Sequence, residues 1–144
     1  MRYVLLLAAV LGIAASSLAL NEHYRAYGDS PCNINDHWDC GIVNHSPYAM
    51  IHGLPVAVIG IAGYLLLGAL ALWRAYRVML LLAVPALAFA LYLAHIEAHV
   101  LGVWCLYCVI SLASISLITL LLVGLVVVGA VRSGGQVPAN RSQA

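Results

Sequence analysis

Four long apolar stretches dominate the 144-residue chain and limit the folds that it can adopt. They run over residues 3–20, 53–73, 78–96 and 105–131. At about 1.5 Å of rise per residue, a helix of roughly 20 residues crosses a hydrocarbon core about 30 Å thick. Lipid offers the backbone no hydrogen-bonding partners, so a spanning segment must be a helix with its bonds made internally. The sequence therefore predicts an all-α membrane protein with four transmembrane helices.

The composition agrees with a membrane protein and excludes other classes. Hydrophobic residues make up 65% of the chain, charged residues 8%, and lysine is absent. A soluble domain of this length carries about 25% charged residues. The net charge of +1 and the lack of a basic patch give no reason to expect a nucleic-acid partner. We expect one membrane domain over residues 1–132, followed by a disordered cytoplasmic tail over residues 133–144.

The arginines predict the orientation in the membrane. Five of the six belong to the termini or to the connection between the second and third stretches: Arg2, Arg74, Arg77, Arg132 and Arg141. The remaining Arg25 lies in the 21–52 loop. All five carboxylates lie in this loop or in the 95–104 connection. The positive-inside rule therefore predicts a multi-pass protein of the cytoplasmic membrane, with both termini in the cytoplasm and those two segments facing the periplasm or exterior. Alternatively, the first stretch is a cleavable signal, which leaves three spans and the same outward face.

All four cysteines lie on or beside the outward face, where disulfides are stable. Cys105 and Cys108 form a C-x-x-C at the start of the last stretch, within Trp104-Cys105-Leu106-Tyr107-Cys108. Residues three apart on a helix share a face and can close a small disulfide. A helix that starts near Cys105 would also favour a thiolate there. The motif is therefore a candidate redox centre.

Cys32 and Cys40 lie in a polar, turn-rich part of the 21–52 loop. This composition predicts a mobile pair that exchanges with an outside dithiol and with Cys105 through mixed disulfides. Two alternatives stay open at this point. In the first alternative, both cysteine pairs are inert structural bridges. In the second, the four thiols bind a zinc ion. The spacing and the oxidising exterior disfavour zinc, so no metal is expected.

Four sequence features together resemble the bacterial vitamin K epoxide reductase homologues, which are small four-helix membrane thiol oxidoreductases. The resemblance covers roughly residues 3–125. It consists of the loop pair, Ser46-Pro47-Tyr48-Ala49, Gly53-Leu54-Pro55-Val56 with Gly60 and Tyr64, and the run from Trp104 to Ser111. The resemblance implies a four-helix bundle around a quinone pocket with an outward-facing cysteine loop.

The resemblance also implies a role for each cysteine. Cys108 would reduce the quinone, Cys105 would exchange with Cys40, and Cys32 would meet a thioredoxin-like carrier protein. Many relatives carry that carrier as a fused domain, and since this chain ends at residue 144 we expect a separate protein on the outer side. The quinone would be menaquinone or ubiquinone, and five side chains are assigned to its binding: Ser46, Tyr48, His52, Tyr64 and Ser111.

Two positions bear on the choice of electron acceptor. Vertebrate members carry a quinone-contacting Asn and Tyr where this chain has Val56 and Leu112, whose side chains form no hydrogen bonds. This difference favours quinone reduction over epoxide reduction, which remains an alternative. His95, Glu97 and His99 near the outer end of the third stretch are either proton donors to the reduced quinone or a solvated helix end, and we favour the solvated helix end.

Overall fold

The computed structural model describes residues 1–26 and 28–134, and within them five α-helices account for most of the chain. They are α1 (Arg2–Tyr24), α2 (Cys40–His45), α3 (Val56–Leu72), α4 (Tyr76–Ile96) and α5 (Leu106–Gly134). A 3-10 helix (Pro47–Ala49) and the two short strands β1 (Met50–Ile51) and β2 (Leu54–Pro55) lie between α2 and α3. A π-helical turn (Glu97–Leu101) continues α4.

Three helical segments among the described residues are long and apolar enough to cross a membrane: Arg2–Tyr24, Tyr76–Leu101 and Leu106–Ser133. The predicted helical membrane protein is therefore confirmed, but the predicted second span is shorter than expected. Strands β1 and β2 form an antiparallel hairpin that pairs Met50 with Pro55. His52 and Gly53 turn this hairpin with φ values of 49° and 84°. The hairpin uses the first residues of the 53–73 stretch and leaves α3 with 17 residues.

The other predicted boundaries differ by a few residues at each end. Helix α1 continues to Tyr24, four residues into the predicted 21–52 loop, and the α4 segment reaches Leu101 through its π-helical turn. Helix α5 ends at Gly134, so the predicted tail boundary at residue 133 falls inside it. Residues 135–144 lie outside the described residues, and their disorder stays a prediction.

Helix α1 packs between α3 and α5, while α4 packs mainly against α5. Small residues allow α1 and α3 to approach closely. A Cβ atom on Gly12 of α1 would overlap the Tyr64 ring of α3, and one on Gly60 of α3 would lie 2.7 Å from Ser16 Oγ of α1. The buried core of the bundle includes Leu5, Met79, Ile118 and Leu122.

Candidate active site

The segment between Cys32 and Cys40 is folded back onto the residue that precedes the C-x-x-C. Trp104 N donates to His37 O at 2.8 Å, and Asp39 N donates to Trp104 O at 3.1 Å. Asn35 Oδ1 accepts from His37 N at 3.0 Å and closes the tight turn in between. The backbone of this segment is therefore paired with that of Trp104, whereas its predicted mobility stays a prediction.

Helix α2 gives Cys40 a fixed position. Asp39 is its N-cap, and the Asp39 side chain accepts from Ile42 N at 2.9 Å, as is common at helix starts. Cys40 is the first residue of α2 and forms a disulfide with Cys32, with a Cα–Cα distance of 5.6 Å. Both cysteines are buried, at 2% exposure for Cys32 and 0% for Cys40. The loop pair is therefore enclosed by protein rather than exposed on a free loop.

Cys105 lies next to this disulfide. Its Sγ is 3.3 Å from Cys40 Sγ, and the thiol is free and buried. Asn44, one turn after Cys40, donates from Nδ2 to Cys40 O at 2.8 Å and to Cys105 Sγ at 3.5 Å. Thiol–disulfide exchange requires a thiolate next to a disulfide sulfur, and this contact supplies that proximity.

The surroundings of Cys105 favour its ionised form. The residue directly precedes α5, and its carbonyl accepts from Val109 N at 3.0 Å. Its own backbone N–H donates to Glu97 Oε2 at 3.0 Å. Hydrogen bonding from the Cys108 thiol lowers the pKa of Cys105, and the Asn44 amide lowers it further, against opposing effects of burial and of the Glu97 charge. A lower pKa raises the thiolate fraction at neutral pH and makes a better leaving group.

A cavity of about 340 Å³ opens beside Cys108. Its walls are mainly apolar, and its size falls within the range of small-molecule sites, which is roughly 300–1,000 Å³. Tyr64 donates its hydroxyl to Ser111 O at 2.6 Å, and Ser111 Oγ lies 2.9 Å from the same hydroxyl. The polar or titratable lining residues are Ser16, His23, Asn44, Ser46, Tyr48, Tyr64, Glu97, Trp104, Tyr107, Cys108 and Ser111.

The structure brings most of the predicted site residues together. The cavity is lined by Ser46, Tyr48, Tyr64 and Ser111, four of the five side chains assigned to quinone binding. His52 is different, because it lies exposed in the β1–β2 turn and is not a lining residue. Cys108 lines the cavity, whereas the other three cysteines lie side by side behind it.

Two residues with direct contacts to the C-x-x-C were not predicted to have them. Asn44 has no signal beyond its position four residues after Cys40. Glu97 is 3% exposed, which corrects the prediction of a solvated helix end for this residue. The neighbouring His95 and His99 are exposed, with ring centroids 4.5 Å apart. The sequence places Glu97 one residue beyond the predicted 78–96 stretch, and its burial follows from the π-helical turn that extends α4 to Leu101.

The zinc alternative has no geometric support. Cys32 and Cys40 are joined to each other, so the four thiols do not form a ligand set. Within residues 1–26 and 28–134, no group of three or more His, Cys, Asp or Glu side chains is arranged to hold a metal ion.

Comparison with known proteins identifies the kind of protein that carries this site. The family model described as the vitamin K epoxide reductase family matches residues 3–129. The chain belongs to that family. No curated protein matches the chain. Family members are membrane oxidoreductases with quinone-linked disulfide chemistry that generally work with thioredoxin-like partners, so this chain is a membrane oxidoreductase.

Proposed function

We propose that this chain is a quinone-dependent thiol–disulfide oxidoreductase that oxidises a separate thioredoxin-like carrier protein and so supports disulfide formation. The observation that carries the proposal is the 3.3 Å distance between Cys40 Sγ and Cys105 Sγ. This contact joins the loop disulfide to a C-x-x-C whose second cysteine faces a largely apolar cavity.

The relay follows from the positions of the four sulfurs. The reduced carrier reduces the Cys32–Cys40 disulfide. The Cys40 thiolate then attacks Cys105 in a Cys105–Cys108 disulfide, which forms a Cys40–Cys105 bond and releases Cys108. Cys32 next attacks Cys40, restores the loop disulfide and leaves Cys105 and Cys108 reduced. This last state has the bonding that the structure describes, with Cys32 joined to Cys40 and two free thiols.

The cavity residues fit a quinone head group. Apolar walls suit its ring, and the hydroxyl groups of Ser46, Tyr48 and Tyr64 lie among the lining side chains. The Ser46 and Tyr64 hydroxyls donate to Val43 O and Ser111 O, so they would donate to a quinone oxygen only after rotating away from these carbonyls. A bound quinone, menaquinone or ubiquinone, supplies an acceptor for two electrons and two protons. Closing the Cys105–Cys108 disulfide releases that number of each. For two electrons, each 30 mV of potential difference is about 1.4 kcal/mol of driving force.

We further propose that both termini lie in the cytoplasm and that the cysteines face the periplasm or exterior. Arg74 and Arg77 lie beside Leu125 and Gly129 in the C-terminal half of α5, whereas the cysteine pairs lie at its beginning. The arginines and cysteines are therefore near opposite ends of α5. Since arginine-rich connections stay on the cytoplasmic side, this separation supports the orientation.

Replacing Cys32 tests the relay directly. In Cys32→Ala the Cys40–Cys105 bond lacks the thiol that resolves it in the forward direction and can only revert by attack of Cys108, so this mixed disulfide should accumulate when reduced protein is treated with quinone. Peptide mapping by mass spectrometry under non-reducing conditions measures it. The double variant Cys32→Ala/Cys105→Ala is the matched control and should show no Cys40-linked peptide. A Cys32→Ala protein in which Cys40 and Cys105 never join contradicts the relay.

Assay of the purified protein with a dithiol donor separates the proposed function from its alternatives. We expect quinone reduction by the wild type and none by Cys108→Ala. Because Val56 and Leu112 line the cavity with apolar side chains, we expect little turnover of the quinone epoxide. A non-catalytic protein with structural disulfides would reduce neither acceptor, and undiminished turnover by Cys108→Ala would rule out the assigned role of this thiol.

A further inference from the structure

Glu97 is a buried carboxyl group that the relay does not use. It begins the π-helical turn that follows α4, and Gly102, with φ of 68°, ends this turn. Such turns are rare and frequently occur at functional sites. His95 and His99 on either side of Glu97 are exposed, whereas Glu97 is 3% exposed. The turn therefore directs this carboxyl group into the protein.

The contacts of Glu97 belong to the redox centre. Its Oε2 accepts from Cys105 N at 3.0 Å, which places the carboxyl group at the first residue of the C-x-x-C. It also lines the cavity that Cys108 faces. In the described part of the chain, Arg25 pairs with Glu22, and no cation pairs with Glu97. Burying a carboxylate without a cation is costly, so the position is better explained by chemistry than by stability.

We propose that Glu97 is a catalytic base that accepts the thiol proton of Cys108 and passes it to the quinone oxygen during reduction. This inference rests on the proposed function. It assigns to Glu97 a proton-transfer role toward Cys108, which lines the same cavity, in addition to holding the Cys105 backbone.

The step balances in atoms and electrons. The S–H bond of Cys108 breaks and an O–H bond forms on the Glu97 carboxylate. Sulfur–sulfur bond formation between Cys105 and Cys108 then releases two electrons to the quinone. Of the two protons lost by the dithiol, one reaches the quinone from Glu97 and the other originates from Cys105. Glu97 returns to its carboxylate form, and the products are one disulfide and one quinol.

Other titratable groups surround the carboxyl group and must be separated from it. On the side of α5 these are Cys105, Cys108 and Tyr107. Across the cavity they are His23 on α1, Tyr48 on the 3-10 helix and Tyr64 on α3. His95 and His99 lie on the same segment as Glu97 but face outward. His23 is the histidine that lines the cavity, so a His23→Gln variant must accompany the measurement.

The test is the pH dependence of Cys108 alkylation in the full chain with its loop disulfide intact. N-ethylmaleimide is the probe, and mass spectrometry of the Cys108 peptide gives the rate. If the Cys108 proton moves to Glu97 and not to solvent, the pair keeps the same number of protons when the thiolate forms. The fraction of reactive thiolate then does not depend on pH around neutrality, so the alkylation rate of the wild type should be constant there. In Glu97→Gln the proton must leave to solvent, so the rate should rise about tenfold per pH unit.

Conservative variants separate a proton acceptor from a structural group. Glu97→Asp retains a carboxyl group and should keep the flat profile. Glu22→Gln changes a carboxyl group that is equally buried, at 3% exposure, and it should also keep the wild-type profile, as should His23→Gln. A tenfold rise per pH unit in the wild type overturns the proposal without any variant, and so does a flat profile in Glu97→Gln. No quinone takes part in this alkylation measurement. A lack of quinone turnover in the separate activity assay would therefore contradict the proposed function without changing how the Glu97 alkylation result is interpreted.

Discussion

Removing the Asn44 side chain should slow the step in which Cys105 leaves the Cys40–Cys105 mixed disulfide. Asn44 is buried and its Nδ2 lies 3.5 Å from Cys105 Sγ, so it donates to the thiolate as that charge forms. A hydrogen bond to a charged group contributes about 1.5–3 kcal/mol. The 3.5 Å distance puts the Asn44–Cys105 bond at the weak end of this range, about 1.5 kcal/mol. That energy corresponds to about tenfold in the equilibrium between thiol and thiolate. Since a less stable thiolate leaves more slowly, Asn44→Ala should slow release by up to about tenfold.

The assay measures the mixed disulfide during turnover with a dithiol donor and quinone. Samples are quenched in acid, alkylated and mapped, and the Cys40–Cys105 fraction should be higher in Asn44→Ala than in wild type. Asn33→Ala, which changes an exposed asparagine in the segment between Cys32 and Cys40, is the matched control.

The direction of the change distinguishes this effect from simple destabilisation. Asn44→Ala also removes the 2.8 Å bond to Cys40 O, which costs about 1 kcal/mol. A displaced Cys40 would form less mixed disulfide, not more. A fraction that falls, or that matches Asn33→Ala, would refute the reasoning.

Two further substitutions test the packing that supports the site. Gly12→Val places a side chain where the Tyr64 ring lies, so it should break the Tyr64–Ser111 hydrogen bonds and raise the quinone KM. Gly68→Ala is the control, because its added methyl makes only ordinary contact with Ala9 and should leave the quinone KM unchanged. Asp39→Ala removes the N-cap of α2 and should cost about 1 kcal/mol, read as lost hydrogen-exchange protection of the Ile42 amide; Asp39→Asn should retain most of it, and equal loss in both variants would exclude capping as the cause.

The sequence predicted the membrane helices because apolar length is a direct physical requirement of the bilayer. It did not predict where α3 begins. Residues 53–55 are apolar or small and continue the hydropathy of the helix, yet the backbone there belongs to a hairpin. Two adjacent residues with positive φ, His52 and Gly53, set that turn. Hydropathy counts side chains and contains no information on such backbone choices.

The contacts at the redox site were predictable only in part. The C-x-x-C and the loop pair are visible in the sequence, but their proximity was implied only by the family resemblance. The pairing of His37 and Asp39 with Trp104 joins residues more than 60 positions apart and has no local pattern. The Asp39 cap does have a local signal, since an Asp directly before Cys40-Gly41-Ile42 is a typical helix start.

The burial of Cys32 has a consequence for the order of the relay. In the proposed relay a carrier protein must reach this sulfur, which is 2% exposed while the 32–40 segment is paired with Trp104. Two backbone hydrogen bonds hold that pairing, each with a net contribution of about 0.5–1.5 kcal/mol. Separating them costs about 1–3 kcal/mol, which corresponds to an open form at roughly 0.6–16% of the population. In the proposed relay, the closed state places Cys40 against Cys105, and brief opening of the same segment would give the carrier its access to Cys32.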